Sequence, residues 1–259
     1  MLNHEQLSHF SEHGWVLEED VFDESQIEVY KDGLDRMAEE FTGAPSRSGD
    51  IVNVTAMVNY ERIFRDWIMT PNILAANRQL MGAEIKYECC HAMIKSPHPD
   101  RETERDQLRD PEKMDWHRGL RPKWGIVPHD TDESLLNSTF LNNITYLTDV
   151  APTDGGTMVL DGSHRHEGNF QSLKDQLPIV ELTAQKGSVL HFTECLIHTG
   201  VPILSENVRY TMFYGFTPSW YVTWPNCETS PQVIAGVKNE ELKEILGGRC
   251  GYVGQAAVI

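Results

Sequence analysis

The sequence has 259 residues, of which 40% are hydrophobic and 24% charged, and its formal net charge is −17. So acidic a chain is unsuited to nucleic-acid polymers or anionic membranes, because attraction to phosphate requires a basic face. No apolar run approaches the roughly 18 residues that span a bilayer, and the polar start lacks a signal-peptide pattern. The five cysteines are irregularly spaced without a CxxC pair, which predicts a cytoplasmic protein with reduced thiols.

Residues 1–85 are predicted to form a mostly helical flank. Asn3 begins a capping-box pattern, and Gly14 suits the end of the helix that follows. A short strand is predicted at 15–17, and a second helix begins after Asp23. Its apolar positions recur at helical spacing: Ile27, Tyr30, Leu34 and Met37. Pro71 is predicted to open a third helix.

Residues 86–220 are predicted to form a β core, because short apolar runs alternate with turn signals. The predicted strands are 86–95, 114–118, 138–149, 157–160, 179–183, 188–193 and 207–217. Residues 98–113 are charged and proline-flanked, which indicates a mobile surface loop, either a lid or a plain insertion. With 221–259 as a C-terminal extension, helices followed by strands favour one α+β domain over 1–259, with a barrel or double sheet.

Two of the eleven histidines stand out by their sequence context. His117 follows Asp115-Trp116 at the end of a predicted strand. His198 ends a mostly apolar run that follows the glycine turn at Lys186-Gly187. Arg209 comes next, at the start of a run with strand character. In a β core, residues this far apart in sequence can meet at one site.

These pieces, taken in order, resemble the phytanoyl-CoA dioxygenase-like branch of the iron(II)/2-oxoglutarate enzymes. The matching pieces are Trp116-His117, residues 154–164, residues 186–192, and His198 with Arg209. The resemblance covers about three quarters of the chain and includes the N-terminal helices. It implies a double-stranded β-helix (jelly-roll) fold, which agrees with the predicted strands.

The resemblance also implies an iron(II) ion held by His117 and His198, with 2-oxoglutarate and O2 as cosubstrates. Imidazole suits Fe(II), and two histidines with one carboxylate form a facial triad that leaves open positions. The keto-acid end of 2-oxoglutarate chelates the iron, and its far carboxylate needs a bidentate cation, which Arg209 can supply. Thr211 lies two residues further on a predicted strand, so it faces the same way as a second donor.

Gly119 is where the sequence departs from the family. The usual motif is His-x-Asp, and glycine cannot coordinate a metal. Chloride can replace the lost carboxylate in both space and charge, as in the halogenases of this superfamily, which have Gly or Ala here. The sequence therefore predicts a halogenase for natural-product biosynthesis that chlorinates an unactivated aliphatic C–H bond of a freestanding small molecule.

Several alternatives to the halogenase hypothesis stay open. His98-Pro99-Asp100 is a literal His-x-Asp, and Asp115 could ligate from the face of His117. The chain could also be a hydroxylase of the same family, a hydroxylase whose Asp was replaced by Gly119, or a ligand-binding jelly-roll protein without redox activity. Three other acids are predicted to be turn or surface residues: Asp154, Asp161 and Glu194.

Further candidates would contact the cosubstrate or the substrate. Related enzymes often place a polar residue where Lys95 lies, so Lys95 is either a cosubstrate contact or a surface lysine. Trp124 is expected to pack beside the cosubstrate or the substrate, or in the core. A basic cluster beside the first histidine could bind an anionic substrate such as an amino acid or nucleotide, or form salt bridges; it comprises Arg118, Arg121 and Lys123. Asn142 and Tyr146 share one face of a predicted strand, but the sequence does not say whether that face looks into the barrel.

Overall fold

The computed structural model describes residues 1–41, 51–119, 138–224 and 227–247. Its helices are α1 (His4–His13), α2 (Glu24–Phe41), α3 (Arg62–Asp66), α4 (Pro71–Met81), α5 (Arg105–Leu108), α6 (Phe170–Leu173), α7 (Pro231–Gly236) and α8 (Glu240–Gly247). Its strands are β1 (Trp15–Glu18), β2 (Ile51–Thr55), β3 (Ile85–Lys95), β4 (Leu141–Tyr146), β5 (Thr157–Leu160), β6 (Ile179–Leu182), β7 (Val189–Thr193), β8 (His198–Gly200) and β9 (Arg209–Pro218). Within these ranges, no helix is both long enough and apolar enough to cross a membrane.

The N-terminal helices begin where local sequence chemistry predicts. Asn3 accepts a hydrogen bond from the backbone of Gln6, whose side chain reaches back, so the capping box is confirmed. Gly14 ends α1 with φ of 83°, the left-handed conformation that glycine adopts without strain. Asp23 caps α2 through the backbone N–H of Gln26, and Pro71 is the first residue of α4.

Two mainly antiparallel sheets form the β core, as the sequence predicts. The larger has the order β1-β7-β4-β9-β3-β2, and the smaller has the order β6-β5-β8. Apolar side chains of both sheets pack between them, among them Ile144 and Leu190 from the larger and Val159 and Leu182 from the smaller. The open question about β4 is thereby answered: the face with Asn142, Ile144 and Tyr146 looks into the core between the sheets.

The opposite face of the larger sheet is covered by the N-terminal helical region. The ring of Trp67 stacks on Tyr214 of β9 with centroids 3.9 Å apart and planes inclined by 10°. Its indole N–H donates to the hydroxyl of Thr145 at 2.9 Å, and the Tyr214 hydroxyl donates to the Phe64 carbonyl at 2.9 Å. The helices are thus fixed to the sheet that carries much of the candidate site.

We expect Trp67→Ala to destabilise the fold strongly. Trp67 is fully buried, and truncation of a buried tryptophan costs about 3–5 kcal/mol, because it removes apolar burial and leaves a cavity. The change would also remove the hydrogen bond partner of Thr145. Urea unfolding followed by circular dichroism measures the loss, with exposed Trp220→Ala as the matched control. A loss below about 1 kcal/mol would mean that the helices are not anchored through this ring.

Several elements differ from the sequence-based predictions. The strand predicted at 114–118 does not form; this stretch makes a single antiparallel bridge, between His117 and His198. The predicted strand 138–149 is shortened to β4. The prediction missed β2, β8 and the C-terminal helices, of which α8 contributes Leu242, Ile245 and Leu246 to the core. These short elements are stabilised by tertiary packing rather than by a strong local pattern.

The segment 98–113, predicted to be a surface loop, contains short helical structure, and its mobility stays a prediction. It contains α5 and a single 3-10 turn at Pro111–Lys113. Arg109 pairs with Glu181 of β6 at 2.6 Å, and Arg101 pairs with Glu206 at 2.7 Å. These ion pairs tie the segment to the smaller sheet and its neighbouring loop.

Candidate active site

The two predicted ligand histidines meet across the one bridge between their segments. The backbone N–H of His117 donates to the His198 carbonyl at 3.0 Å, and that of His198 donates to the His117 carbonyl at 2.8 Å. Their ring centroids lie 4.5 Å apart, at an interplanar angle of 59°. This separation allows both rings to contact one metal ion.

Each ring is held in the same way by a backbone carbonyl two residues earlier. Nδ1 of His117 lies 2.9 Å from the carbonyl of Asp115, and Nδ1 of His198 lies 2.9 Å from the carbonyl of Leu196. A carbonyl only accepts, so each Nδ1 carries the proton, and each Nε2 keeps a lone pair for a metal. Burial lowers the pKa of His198 to about 4, which keeps this ring neutral at neutral pH.

Glu194 occupies the space beside Gly119, and the sequence did not predict this. The Gly119 N–H donates to the Glu194 carbonyl at 2.9 Å. The two residues are therefore neighbours on the paired segments, next to the histidine bridge. A Cβ added at Gly119 would overlap Oε1, Cγ and Cδ of Glu194. The side-chain amide of Asn142 donates to the other carboxylate oxygen.

Glu194 lies in a turn, as one of the two predicted alternatives, but it is not a surface acid, because its carboxylate is directed inward. Burial raises the pKa of Glu194, while the hydrogen bond from Asn142 acts in the opposite direction. The one sequence signal was an acid within the otherwise apolar run before His198. No three His, Cys, Asp or Glu groups in the described ranges already surround a common metal position.

A pair of buried cations lies on the same interior face, further along the strands. Lys95 of β3 is directly opposite Arg209 of β9, and the two are 8% and 6% exposed. Nζ of Lys95 donates to the carbonyl of Val201 at 3.1 Å. Two adjacent buried cations suit an anionic ligand, and a carboxylate of a dicarboxylate matches the fork of an arginine.

Thr211 and Tyr146 complete this basic end of the cavity. They face each other across the pairing of β9 and β4, and Thr211 is two residues from Arg209 on the same face. Burial raises the pKa of Tyr146, and the nearby positive charge of Arg209 opposes this shift. The hydroxyl of Thr211 lies 3.4 Å from the Met93 carbonyl, which is long for a hydrogen bond.

Strand β4 runs from the neighbourhood of the histidine pair to the buried cations Lys95 and Arg209. Asn142 contacts Glu194, and Tyr146, four residues further along β4, lies near Arg209. Four residues of strand span about 13 Å. A five-carbon dianion that chelates a metal at one end can meet an arginine side chain at the other across this distance.

The remaining predicted site residues fall into three groups. Arg118 donates to the backbone carbonyls of Ser163, His166, Gly168 and Cys195. This arrangement favours a role in holding the 163–168 loop. The predictions for Arg121, Lys123 and Trp124 lie outside the described residues. The Asp115 backbone carbonyl accepts from Nδ1 of His117. His98 belongs to a turn in which its Nδ1 accepts from the Asp100 N–H.

His91 is a further interior residue that sequence reasoning missed. It stacks on Phe213 of β9 with centroids 4.5 Å apart and planes inclined by 4°. Burial lowers the pKa of His91 to about 4, so its ring is uncharged at neutral pH. It shares the strand face of Lys95, four residues along β3. The alternation of side chains along the predicted strand 86–95 was the signal that could have placed His91 beside Lys95.

The residues present fit a divalent transition metal and a dicarboxylate: two neutral imidazoles with free Nε2 atoms, an adjacent carboxylate, and a buried cation pair. Inside a double antiparallel sheet, this combination defines the non-haem iron(II)/2-oxoglutarate oxygenase class. A model of the family "Phytanoyl-CoA dioxygenase (PhyH)" matches residues 10–211. The chain belongs to that family and is an iron/2-oxoglutarate-dependent oxygenase of the phytanoyl-CoA dioxygenase-like type.

Solved structures share the jelly-roll fold at low sequence identity. HygX from Streptomyces hygroscopicus, with nickel and 2-oxoglutarate bound, is 17% identical, with a TM-score of 0.68 over 86% of this chain and 90% of that one. The carbocyclase SnoK from nogalamycin biosynthesis is 17% identical, with a TM-score of 0.64 over 84% and 85% of the two chains. The epimerase SnoN, with Fe3+, 2-oxoglutarate (alpha ketoglutarate) and nogalamycin RO, is 14% identical, with a TM-score of 0.65 over 83% of each chain. No curated protein matches the chain.

Proposed function

We propose that this chain uses Fe(II), 2-oxoglutarate and O2 to oxygenate an aliphatic C–H bond of a small molecule. The observation that carries the proposal is the pair His117 and His198, both oriented by backbone carbonyls, together with the buried cations Arg209 and Lys95 on the inner face of the larger sheet. Similar folds have been solved with hygromycin B, in HygX, and with nogalamycin RO, in SnoN. These support a natural product as the substrate class.

Each part of the site has a distinct task in this proposal. His117 and His198 would hold the iron, and Arg209 with Lys95 would bind the far carboxylate of 2-oxoglutarate. When bound, the metal and cosubstrate would supply, together with O2, an oxidant strong enough to remove hydrogen from an unactivated carbon; one oxygen atom of O2 enters succinate as 2-oxoglutarate releases carbon dioxide. The protein's own contribution is orientation: the cavity must present one carbon of the substrate to that oxidant.

Halogenation is a second candidate, and Gly119 is the observation that favours it. A glycine at the usual carboxylate position can leave room for a halide on the metal. The Glu194 carboxylate beside Gly119 weighs against this candidate, because a halide would have to share that space with a second anion. The two candidates use the same cosubstrates and differ in the group that is transferred to the carbon.

A product assay separates these functions. The protein, loaded anaerobically with Fe(II) and 2-oxoglutarate, is given chloride, a panel of small natural products and then 18O-labelled O2. We expect succinate and a product that carries one labelled oxygen atom. A product with the isotope pattern of chlorine would favour halogenation instead. Failure to bind iron and to form succinate with any compound would overturn both candidates and favour a non-catalytic ligand-binding protein.

A further inference from the structure

Gly119 and Glu194 face each other across the two segments that carry the ligand histidines. Three backbone hydrogen bonds join these segments: both bonds of the bridge between His117 and His198, and the bond from the Gly119 N–H to the Glu194 carbonyl. Glu194 is thus placed by the same pairing that brings the histidines together. Its carboxylate lies where a side chain at position 119 would begin.

The environment of this carboxylate suits a metal ligand. The neutral side-chain amide of Asn142 donates to one oxygen of this carboxylate. A carboxylate drawn into the protein is costly unless a cation accompanies it. A divalent iron bound to the two histidines would be that cation. The Asn142 amide leaves the other carboxylate oxygen, Oε1, on the side of Gly119.

We propose that Glu194 supplies the carboxylate ligand that position 119 lacks, so that the iron has a two-histidine, one-carboxylate shell drawn from a different place in the chain. This inference rests on the proposed function, since it assumes that the histidines hold iron. The side chain must turn to reach the metal, because it does not yet form a cluster with both rings. A glutamate has the rotatable bonds to do so.

The inference predicts that the halide site is closed. A halide at the third position would compete with an anionic side chain that is tethered to the site, and like charges in one small cavity are unfavourable. Removal of Glu194 would open the position that Gly119 leaves empty. Glu194 would therefore be the residue that decides between oxygen and halide chemistry.

Iron affinity and halide sensitivity test the inference without relying on turnover. The proteins are wild type, Glu194→Gln, Glu194→Ala and the control Glu206→Ala, whose glutamate is paired with Arg101 on the surface. Anaerobic Fe(II) titration is followed by the visible absorption of the Fe(II)·2-oxoglutarate complex, with and without bromide. We expect at least about tenfold weaker iron binding in both Glu194 variants, the lower end of what loss of even an outer-shell partner costs. Glu206→Ala should match wild type.

Bromide should leave the wild-type absorption unchanged and shift that of Glu194→Ala. Unchanged iron affinity in Glu194→Gln, or a bromide shift already present in wild type, would overturn the inference. Glu194→Gln keeps the shape of the side chain, so it remains informative if Glu194→Ala does not fold. A wild type that forms the iron complex while the variants behave like it refutes only the role of Glu194. A wild type that forms no such complex refutes the proposed function as well.

Discussion

Replacement of Arg209 by methionine is expected to abolish useful 2-oxoglutarate binding while iron binding survives. Arg209 is buried at the start of β9, directly opposite Lys95 of β3, and it is not part of the histidine bridge. In the proposed complex, Arg209 forms a buried ion pair with the far carboxylate of 2-oxoglutarate. Loss of one partner from such a pair costs about 2–5 kcal/mol, which corresponds to a roughly 30- to 5000-fold higher dissociation constant for 2-oxoglutarate. Methionine preserves much of the length and apolar volume of the arginine stem, so the change mainly removes charge and donors.

Anaerobic titration of the Fe(II)-loaded protein with 2-oxoglutarate measures this effect. Arg101→Met is the matched control, because Arg101 forms a surface ion pair with Glu206. Arg209→Lys should recover only part of the affinity, since an ammonium cannot form the bidentate contact of a guanidinium. Thermal melts establish that each variant is folded. A dissociation constant for Arg209→Met within threefold of wild type would show that the cosubstrate carboxylate binds elsewhere.

Gly119→Asp is expected to impair the protein rather than restore an ordinary His-x-Asp site. The first side-chain atom would already overlap the Glu194 carboxylate, so Glu194 must be displaced or the backbone must shift. Overpacking of this kind costs about 1–3 kcal/mol, and two carboxylates in one site also repel each other. We therefore expect a less stable protein whose iron affinity does not exceed that of wild type.

A double-mutant cycle makes this expectation sharper. In Gly119→Asp combined with Glu194→Ala, the clash and the repulsion are both removed, and the aspartate can reach the metal in the usual way. Iron affinity and the free energy of unfolding should recover relative to Gly119→Asp alone, so the two changes should be strongly non-additive. Gly119→Ala, which adds volume without charge, separates the steric part from the electrostatic part. Additive effects in the cycle would mean that the two side chains do not share this space.

The role of position 119 shows how a correct motif can lead to an incomplete description of a site. A glycine after the first ligand histidine indicates a vacancy, and the vacancy predicts a halide. In the structure, Gly119 lies beside the ligand histidines, as the motif predicts. The carboxylate of Glu194, from the segment before His198, fills the space next to it. For this reason, oxygenation is the function that the geometry supports best, and halogenation is the outcome that its tests must exclude.

Local features of the sequence were sufficient for the elements whose signals are local. The Asn3 capping box, the Asp23 cap and Pro71 each act within one turn of their own helix, so the starts of α1, α2 and α4 followed from a few neighbouring residues. The strand pattern, and the motif formed in order by His117, His198 and Arg209, could also be recognised from the sequence.

Only the tertiary structure decided what depends on strand pairing. The pairing sets Lys95 against Arg209, turns Tyr146 inward, and brings Glu194 to Gly119. Residues far apart in sequence become neighbours through strand register, and a shift by one position would reverse every face. The sequence by itself therefore determined the fold type, the family and the histidine pair. The carboxylate that we propose for the third metal position depends on a contact between segments that no local pattern records.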